Sequence, residues 1–229
     1  RIYDRFRNRV MFPIIDIRGD VIGFGGRVMD DSTPKYLNSP DTPVYNKSRN
    51  VFALNIAKKS RAGRVILTEG YMATISLHQA GFDSAVASLG TSLTAEHAQL
   101  LARYFKDAVI AYDGDGAGVS AAQRAIPLLE RAGLNVKVLR VKGAKDPDEF
   151  IKKYGPEAFA RLLDKSENHI DYRLEQLRGR YDLSDDSQRV EFLREATGVI
   201  ASLHSAVERE IYGGHAAQMA GISAEAMAQ

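Results

Sequence analysis

Hydrophobic and polar positions change rhythm three times along the chain. In the first stretch, Val10-Met11-Phe12-Pro13-Ile14 runs towards Arg18-Gly19-Asp20, and Val21-Ile22-Gly23-Phe24 returns. Strand-like alternation on either side of a short Gly-containing turn predicts a β-hairpin. Residues 30–50 then hold Asp30, Asp31, Pro34, Asn38, Pro40, Pro43 and Asn46, which disfavour regular elements. A loop this long in a compact domain is usually functional or disordered.

From Arg64 short apolar runs alternate with helical stretches. Strands are predicted at Val65–Thr68, Ser84–Ala87, Ala108–Tyr112 and Val136–Val141. One helix is predicted near Met72–Ala80, ending at Gly81. A second is capped by Thr94, with Glu96 in its first turn and an apolar stripe at Leu100, Leu101, Tyr104 and Phe105. A third carries Val119, Ala122, Ile126 and Leu129 on one face, is kinked at Pro127 and stops at Gly133. Strands alternating with helices imply right-handed crossovers and a mainly parallel sheet. After Glu149 only helical patterns remain, at 150–154, 157–163, 169–177, 187–204 and 207–212. The tail from His215 to Glu225 superficially resembles a helix-turn-helix. No Lys or Arg follows to meet phosphate, so a helical hairpin is the preferred reading.

Charge sharpens this three-part division. The net charge of the 229 residues is +2, from 31 basic and 29 acidic side chains. Residues 1–61 carry +6, residues 62–150 carry −1 and residues 151–229 carry −3. A basic first quarter fits a polyanion-binding face, or else a solvated basic surface. The chain has no Cys. That excludes a disulfide scaffold, a zinc-thiolate site, an iron–sulfur cluster and a Cys nucleophile, and it fits a reducing compartment. No apolar run approaches the length of a membrane span, and no apolar segment follows the charged start as a signal peptide requires. The absence of an initiating Met is read as a piece of a longer protein.

Candidate chemistry lies in the acids of the α/β part. Glu69 follows the first predicted strand of that part, Asp113 and Asp115 the third, and Asp146 and Asp148 the fourth. In an open parallel sheet the loops at the strands' C-terminal ends line the ligand crevice. Five carboxylates from three loops would converge there, which is unfavourable unless cations neutralise them. Oxygen ligands without His or Cys select Mg²⁺ or Mn²⁺. Taken singly, each acid is also an ordinary turn residue. A calcium-loop reading of Asp113–Gly118 fails because position 12 is Arg124 and a strand precedes the loop. The glycines there allow close approach at a helix N-terminus, which favours phosphate. Gly23-Phe24-Gly25-Gly26-Arg27-Val28 fails as a dinucleotide fingerprint, because its sixth position is Val28 and no helix follows. There is no P-loop, no Gly-x-Ser-x-Gly elbow, and no metal spacing among the five His residues.

Together Glu69-Gly70-Tyr71-Met72, Tyr112–Gly118 and Lys145-Asp146-Pro147-Asp148-Glu149 resemble a Toprim domain. Upstream, Arg5–Ile14, Gly23–Arg27 and Pro34–Pro40 are similar to the bacterial replicative primase of the DnaG type. The resemblance covers nearly the whole chain, and the upstream motifs are the more specific. It implies an α/β fold: a Toprim-type mainly parallel sheet (62–150), preceded by part of a basic mixed α/β subdomain (1–61) and followed by a helical subdomain (151–229). It implies an RNA polymerase that lays short primers on single-stranded DNA from nucleoside triphosphates, in the bacterial cytoplasm. Glu69, Asp113 and Asp115 would be catalytic and, with Asp146 and Asp148, would hold two or more Mg²⁺ or Mn²⁺ ions. Arg5, Arg7, Arg27, Lys35 and Lys47 would hold nucleotide phosphates and template backbone, with Tyr36 and Asn38 touching a base or ribose.

Two departures accompany the resemblance. The family pattern continues Glu-Gly-Tyr-Met-Asp, whereas this chain has Ala73. The family's zinc-binding domain, the first part of its polymerase domain and its helicase-binding domain are expected to be absent, so no zinc is expected and a helicase would bind elsewhere. Two rival readings stay open: another Toprim enzyme, a nuclease or topoisomerase, or a nucleotide- or single-strand-binding scaffold without full activity.

Overall fold

The computed structural model describes residues 3–141, 143–203, 205–223 and 225. His204, Ala224 and the last four residues, on which parts of the helical reading fall, lie outside them. The chain divides into two compact units, Arg1–Ser166 and Glu167–Gln229.

The first unit begins with the hairpin. Strand β1 (Arg9–Ile15) pairs antiparallel with β2 (Val21–Val28), so that Met11 faces Gly26 and Pro13 faces Phe24. The turn between them is organised by Asp16, whose Oδ1 accepts from the backbone N–H groups of Arg18, Gly19 and Asp20. The turn-rich segment holds a short third strand, β3 (Tyr36–Asn38), on the free edge of β2. Pattern reading missed β3 because three residues between prolines carry too few positions to show a period. A one-turn helix, α1 (Leu54–Ala57), follows.

Four parallel strands form the second layer: β4 (Arg64–Thr68), β5 (Ala85–Ala87), β6 (Asp107–Ile110) and β7 (Asn135–Val138). Their spatial order is β5-β4-β6-β7. The interiors of β4, β5 and β6 are buried, which explains their apolar runs, whereas β7 alternates and leaves Lys137 exposed. Helix α2 (Tyr71–Gln79) connects β4 to β5 in one direction, and α4 (Gly116–Arg131) connects β6 to β7 in the other. Right-handed crossovers in opposite directions place those two helices on opposite faces of the sheet. They also put the switch in strand order between β4 and β6, where an open α/β sheet leaves a crevice.

Helix α3 (Ala95–Ala102) starts with a reciprocal cap. The Thr94 hydroxyl accepts from the His97 N–H, and the His97 ring accepts from the Thr94 N–H. Helix α4 runs through Pro127 as one element, and α5 (Pro147–Tyr154) and α6 (Pro156–Asp164) follow. These last two helices, counted with the helical subdomain on sequence, lie within the first unit. There Phe150, Phe159 and Leu163 join Ile66, Leu77, Ala85 and Val109 in one buried cluster.

The second unit packs α7 (His169–Arg178), α8 (Asp186–Ala201) and α9 (Ala206–Ala220) around Leu174, Phe192, Ala196 and Ala216. Asn168, Asp185 and Ser205 cap the three helices. The Gly213-Gly214 pair lies inside α9, and within the segment from His215 that helix ends at Ala220 with Gly221 as its C-terminal cap. Among the described residues no helix is long and apolar enough to cross a membrane.

Phe159 is fully buried, and its ring meets Phe82 edge-on at a centroid distance of 4.9 Å. Phe159→Ala is expected to lower stability by about 3–5 kcal/mol, as truncation of a buried aromatic does. Denaturant unfolding of the whole chain measures it.

Candidate active site

Three loops at the C-terminal edge of the parallel sheet present the acids. Glu69 leaves β4 and Asp113 leaves β6, one on each side of the switch in strand order. The Asp113 N–H donates to Glu69 Oε1 at 3.1 Å, which ties the two loops together. The third loop joins them through the Gly114 N–H, which donates to the Lys145 carbonyl at 3.1 Å. Asp115 caps α4 through the Gly118 N–H at 2.8 Å, and Asp146 caps α5 through the Glu149 N–H at 2.7 Å. Each cap engages one carboxylate oxygen and gives the backbone a reason to hold the acid in place.

Close approach makes Gly118 obligatory here. A Cβ on it would stand 2.1 Å from the Asp113 carbonyl oxygen and 2.7 Å from Glu69 Oε1. The glycine therefore serves the packing of α4 against the acidic loops, which the phosphate reading of the Gly-rich stretch did not foresee.

Burial, then the charges of Glu69, Asp146 and Asp115, push Asp113 up to about 6. Tyr112 is raised by burial and by the Glu69 charge. Asp148 behaves differently. Burial would raise it, but the Lys152 ammonium at 2.7 Å and the Ser76 hydroxyl outweigh that and hold it below the ordinary value. It is already neutralised by a partner on its own helix.

A cavity of about 400 Å³ opens at this edge. Glu69, Asp113 and Asp146 line it, together with Lys35 and with Tyr36 and Asn38 of β3. The remaining wall includes Gly70, Tyr71, Met72, Ala73, Ser88 and Gly90. Six expected site residues thus meet in one cavity. Asp115 reaches it only through its charge on Asp113, and Asp148, Arg7 and Lys47 are not in its wall. Arg7 lies over the Tyr3 ring at 5.5 Å, and the Arg5 guanidinium donates to the Asn38 carbonyl at 3.2 Å. Arg27 lies 6.0 Å from the Tyr36 ring centroid. The Lys47 carbonyl is bonded by the His97 ring at 2.8 Å.

Sequence reasoning missed Arg9, Tyr71, Ser88 and Gly90. Arg9 donates to the carbonyls of Gly26, Pro34 and Lys35 and so shapes the Lys35 loop. Its place in a basic run was visible, but the target of its guanidinium was not. Ala73 lines the cavity, so a carboxylate at that position would have faced the other acids.

Among the described residues, no three His, Asp or Glu side chains form a group able by themselves to hold a metal ion. The raised Asp113 nevertheless marks a deficit of positive charge. Mg²⁺ fits such an open edge, because it keeps several waters and binds one or two carboxylates together with substrate phosphates.

Residues 1–58 match a family model described as the DNA primase catalytic core, N-terminal domain. Residues 66–151 match a Toprim-like model. The solved structure of the E. coli primase catalytic core superposes with a TM-score of 0.78 at 39% identity, covering 96% of this chain and 72% of that one. The chain belongs to the DnaG primase family. A DnaG primase catalytic domain bound to single-stranded DNA matches equally well, with a TM-score of 0.79 at 39% identity over 96% of this chain and 71% of that one. The DNA primase of Clostridium acetobutylicum is 47% identical over 212 residues, 92% of this chain. The chain spans 35% of the length of that curated relative.

One expectation is corrected. Residues 170–225 match a model described as the DnaB-helicase binding domain of primase, where a helicase-binding domain was expected to be absent. The segment carries no acidic or basic motif. Its pattern is only that of packed amphipathic helices, which many proteins share, so residue reading passed over it.

Asp113 provides a pH test of this electrostatic picture. In the folded state it titrates near 6, above its ordinary 3.8, so ionising it lowers stability as pH rises through that window. Asp113→Asn is expected to raise Tm above that of the parent at pH 7.5 by on the order of 2–4 °C, after discounting for partial exposure. The gain should shrink below pH 6 and vanish below 3.8, read by thermal scans across pH.

Proposed function

We propose that this chain carries the catalytic part of a primase: metal-dependent nucleotidyl transfer that joins ribonucleotides on a single-stranded DNA template. The carrying observation is the cavity that joins Glu69, Asp113 and Asp146 to Lys35 and Tyr36 at the strand-order switch. The primase named among its relatives and the single-strand-bound catalytic domain support the same reading.

The residues divide the work by charge. Glu69 and Asp113, with Asp146 and Asp115 around them, would hold divalent cations, Mg²⁺ or Mn²⁺, two or more in number. Bound there, such ions supply charge neutralisation for a triphosphate and a lowered barrier for a hydroxyl attacking phosphorus. Lys35 lines the same cavity and would hold phosphate oxygens. Arg5 and Arg27 would carry template backbone, with Arg7 and Lys47 further along the same basic segment. Asp148, paired to Lys152, would have to leave that partner to serve as a ligand. The Tyr36 ring, with the Arg27 guanidinium nearby, would offer a face to a base.

The subdomain organisation proposed is a basic part ending near residue 61, a Toprim part and a helical part, in a protein of the bacterial cytoplasm. A replicative helicase is the partner proposed for the helical part, on the match over 170–225.

Titration calorimetry tests the site. Mn²⁺ followed by a nucleoside triphosphate is expected to bind the parent chain. Asp113→Ala combined with Asp115→Ala should weaken both at least tenfold, a loss of about 1.4 kcal/mol or more. Unchanged binding would overturn the site. In the opposite direction, Ala73→Asp adds a carboxylate to the cavity wall. It is expected to tighten Mn²⁺ several-fold and to move Asp113 further up, followed by carboxyl NMR titration.

A further inference from the structure

The basic loop and the acidic edge come from different sheets, and a part-buried pair of hydrogen bonds on Asn38 links them. Asn38, at the end of β3, stands at the junction. Its Oδ1 accepts from the Tyr71 hydroxyl at 2.7 Å, and its Nδ2 donates to the Leu89 carbonyl at 2.9 Å. Its own carbonyl accepts from Arg5. Tyr71 begins α2, two residues after Glu69, and Leu89 lies two residues past β5. One amide thus reaches both loops that bracket the cavity from the parallel sheet. The amide accepts from the hydroxyl at Oδ1 and donates to the carbonyl from Nδ2, two separate atoms. Aspartate offers no donor for Leu89.

The surroundings are shaped to this contact. Tyr71 is 4% exposed, stacks on Phe12 at 5.4 Å and meets Phe52 edge-on at 4.6 Å. Gly25 lets the ring approach, since a Cβ there would stand 2.8 Å from it. Gly90 lets the amide approach, since a Cβ there would stand 2.7 Å from Asn38 Nδ2, and its φ of +73° suits glycine. Two glycines, Gly25 within β2 and Gly90 after β5, thus clear space for one tyrosine–asparagine pair.

We propose that Asn38 and Tyr71 form a latch that sets the width of the cavity, with Tyr71 a positioning residue acting through Asn38. This deepens the nucleotidyl-transfer reading and rests on it for its functional consequence. The carbonyl and one N–H of the Asn38 amide are engaged inside the protein. Contact with a base therefore falls to Tyr36, and Asn38 sets where Tyr36 and Lys35 stand relative to Glu69 and Asp113. A cation needs only the acidic side. A triphosphate spans both sides and depends on the latch.

The test uses Tyr71→Phe, which keeps the ring and its packing, together with Asn38→Ala and the double variant, all in the whole chain. Without any ligand, hydrogen exchange is followed at β3 and at residues 88–90. Each single variant is expected to accelerate both segments, and the double variant to add nothing beyond the larger single effect. With ligand, Tyr71→Phe is expected to leave Mn²⁺ binding within about twofold and to weaken nucleoside triphosphate binding by roughly tenfold, the scale of an unpaired buried polar group. Unchanged exchange, additive effects, or equal loss of Mn²⁺ and triphosphate would each overturn the latch. If the parent chain binds neither ligand, the nucleotidyl-transfer reading fails, and the exchange measurements still decide whether Asn38 and Tyr71 couple the two sheets.

Discussion

Asp113 shares one edge of the parallel sheet with Glu69, Asp115 and Asp146, and burial first, then their repulsion, holds it above the ordinary carboxylate range. Like charges gathered this way would drift apart in a flexible loop. Here each is restrained by a bond that belongs to the fold: a backbone N–H on Glu69, and a helix cap on Asp115 and on Asp146. The fold holds the unfavourable arrangement because strands and helices on either side over-determine the loops. What it leaves is an unmet demand for positive charge, open to solvent at the strand-order switch.

The basic half answers that demand with Lys35 in the same cavity. Its sheet is small and antiparallel, and its loop contains prolines and short turns rather than long elements. Arg9 binds the carbonyls at positions 26, 34 and 35, which gives the loop a defined course without a long strand. Aromatic packing of Phe12 and Phe52 on Tyr71 then fixes the sheet against the start of α2. Glu69 and Lys35 therefore owe their common cavity to apolar contacts behind them rather than to their own attraction.

The helical unit is built on different terms. Its core of Leu174, Phe192, Ala196 and Ala216 is supplied by three capped helices, and its sequence carries no cluster of acids or bases that marks a site. It matches a model described as the DnaB-helicase binding domain of primase, the ground on which partner contact is proposed for it.

Much of this was readable before any coordinates. Period-two alternation showed the hairpin, and buried apolar runs between helical stretches showed the parallel sheet. Glu69, Asp113 and Asp146 were legible because an acid directly after a buried strand has few places to go except the sheet's C-terminal edge. Short or non-periodic features were not. Strand β3 spans too few residues to show a rhythm, and the roles of Tyr71, Gly90, Gly118 and Arg9 depend on atoms brought near from distant segments. Which acids share a cavity also needed the fold: Asp146 and Asp148 are two residues apart, yet one lines it and the other is neutralised by Lys152 a turn away. Local pattern sets which residue types occur where strands end. Which of them meet, and which are turned to a partner on their own helix, follows from the packing of one element against another.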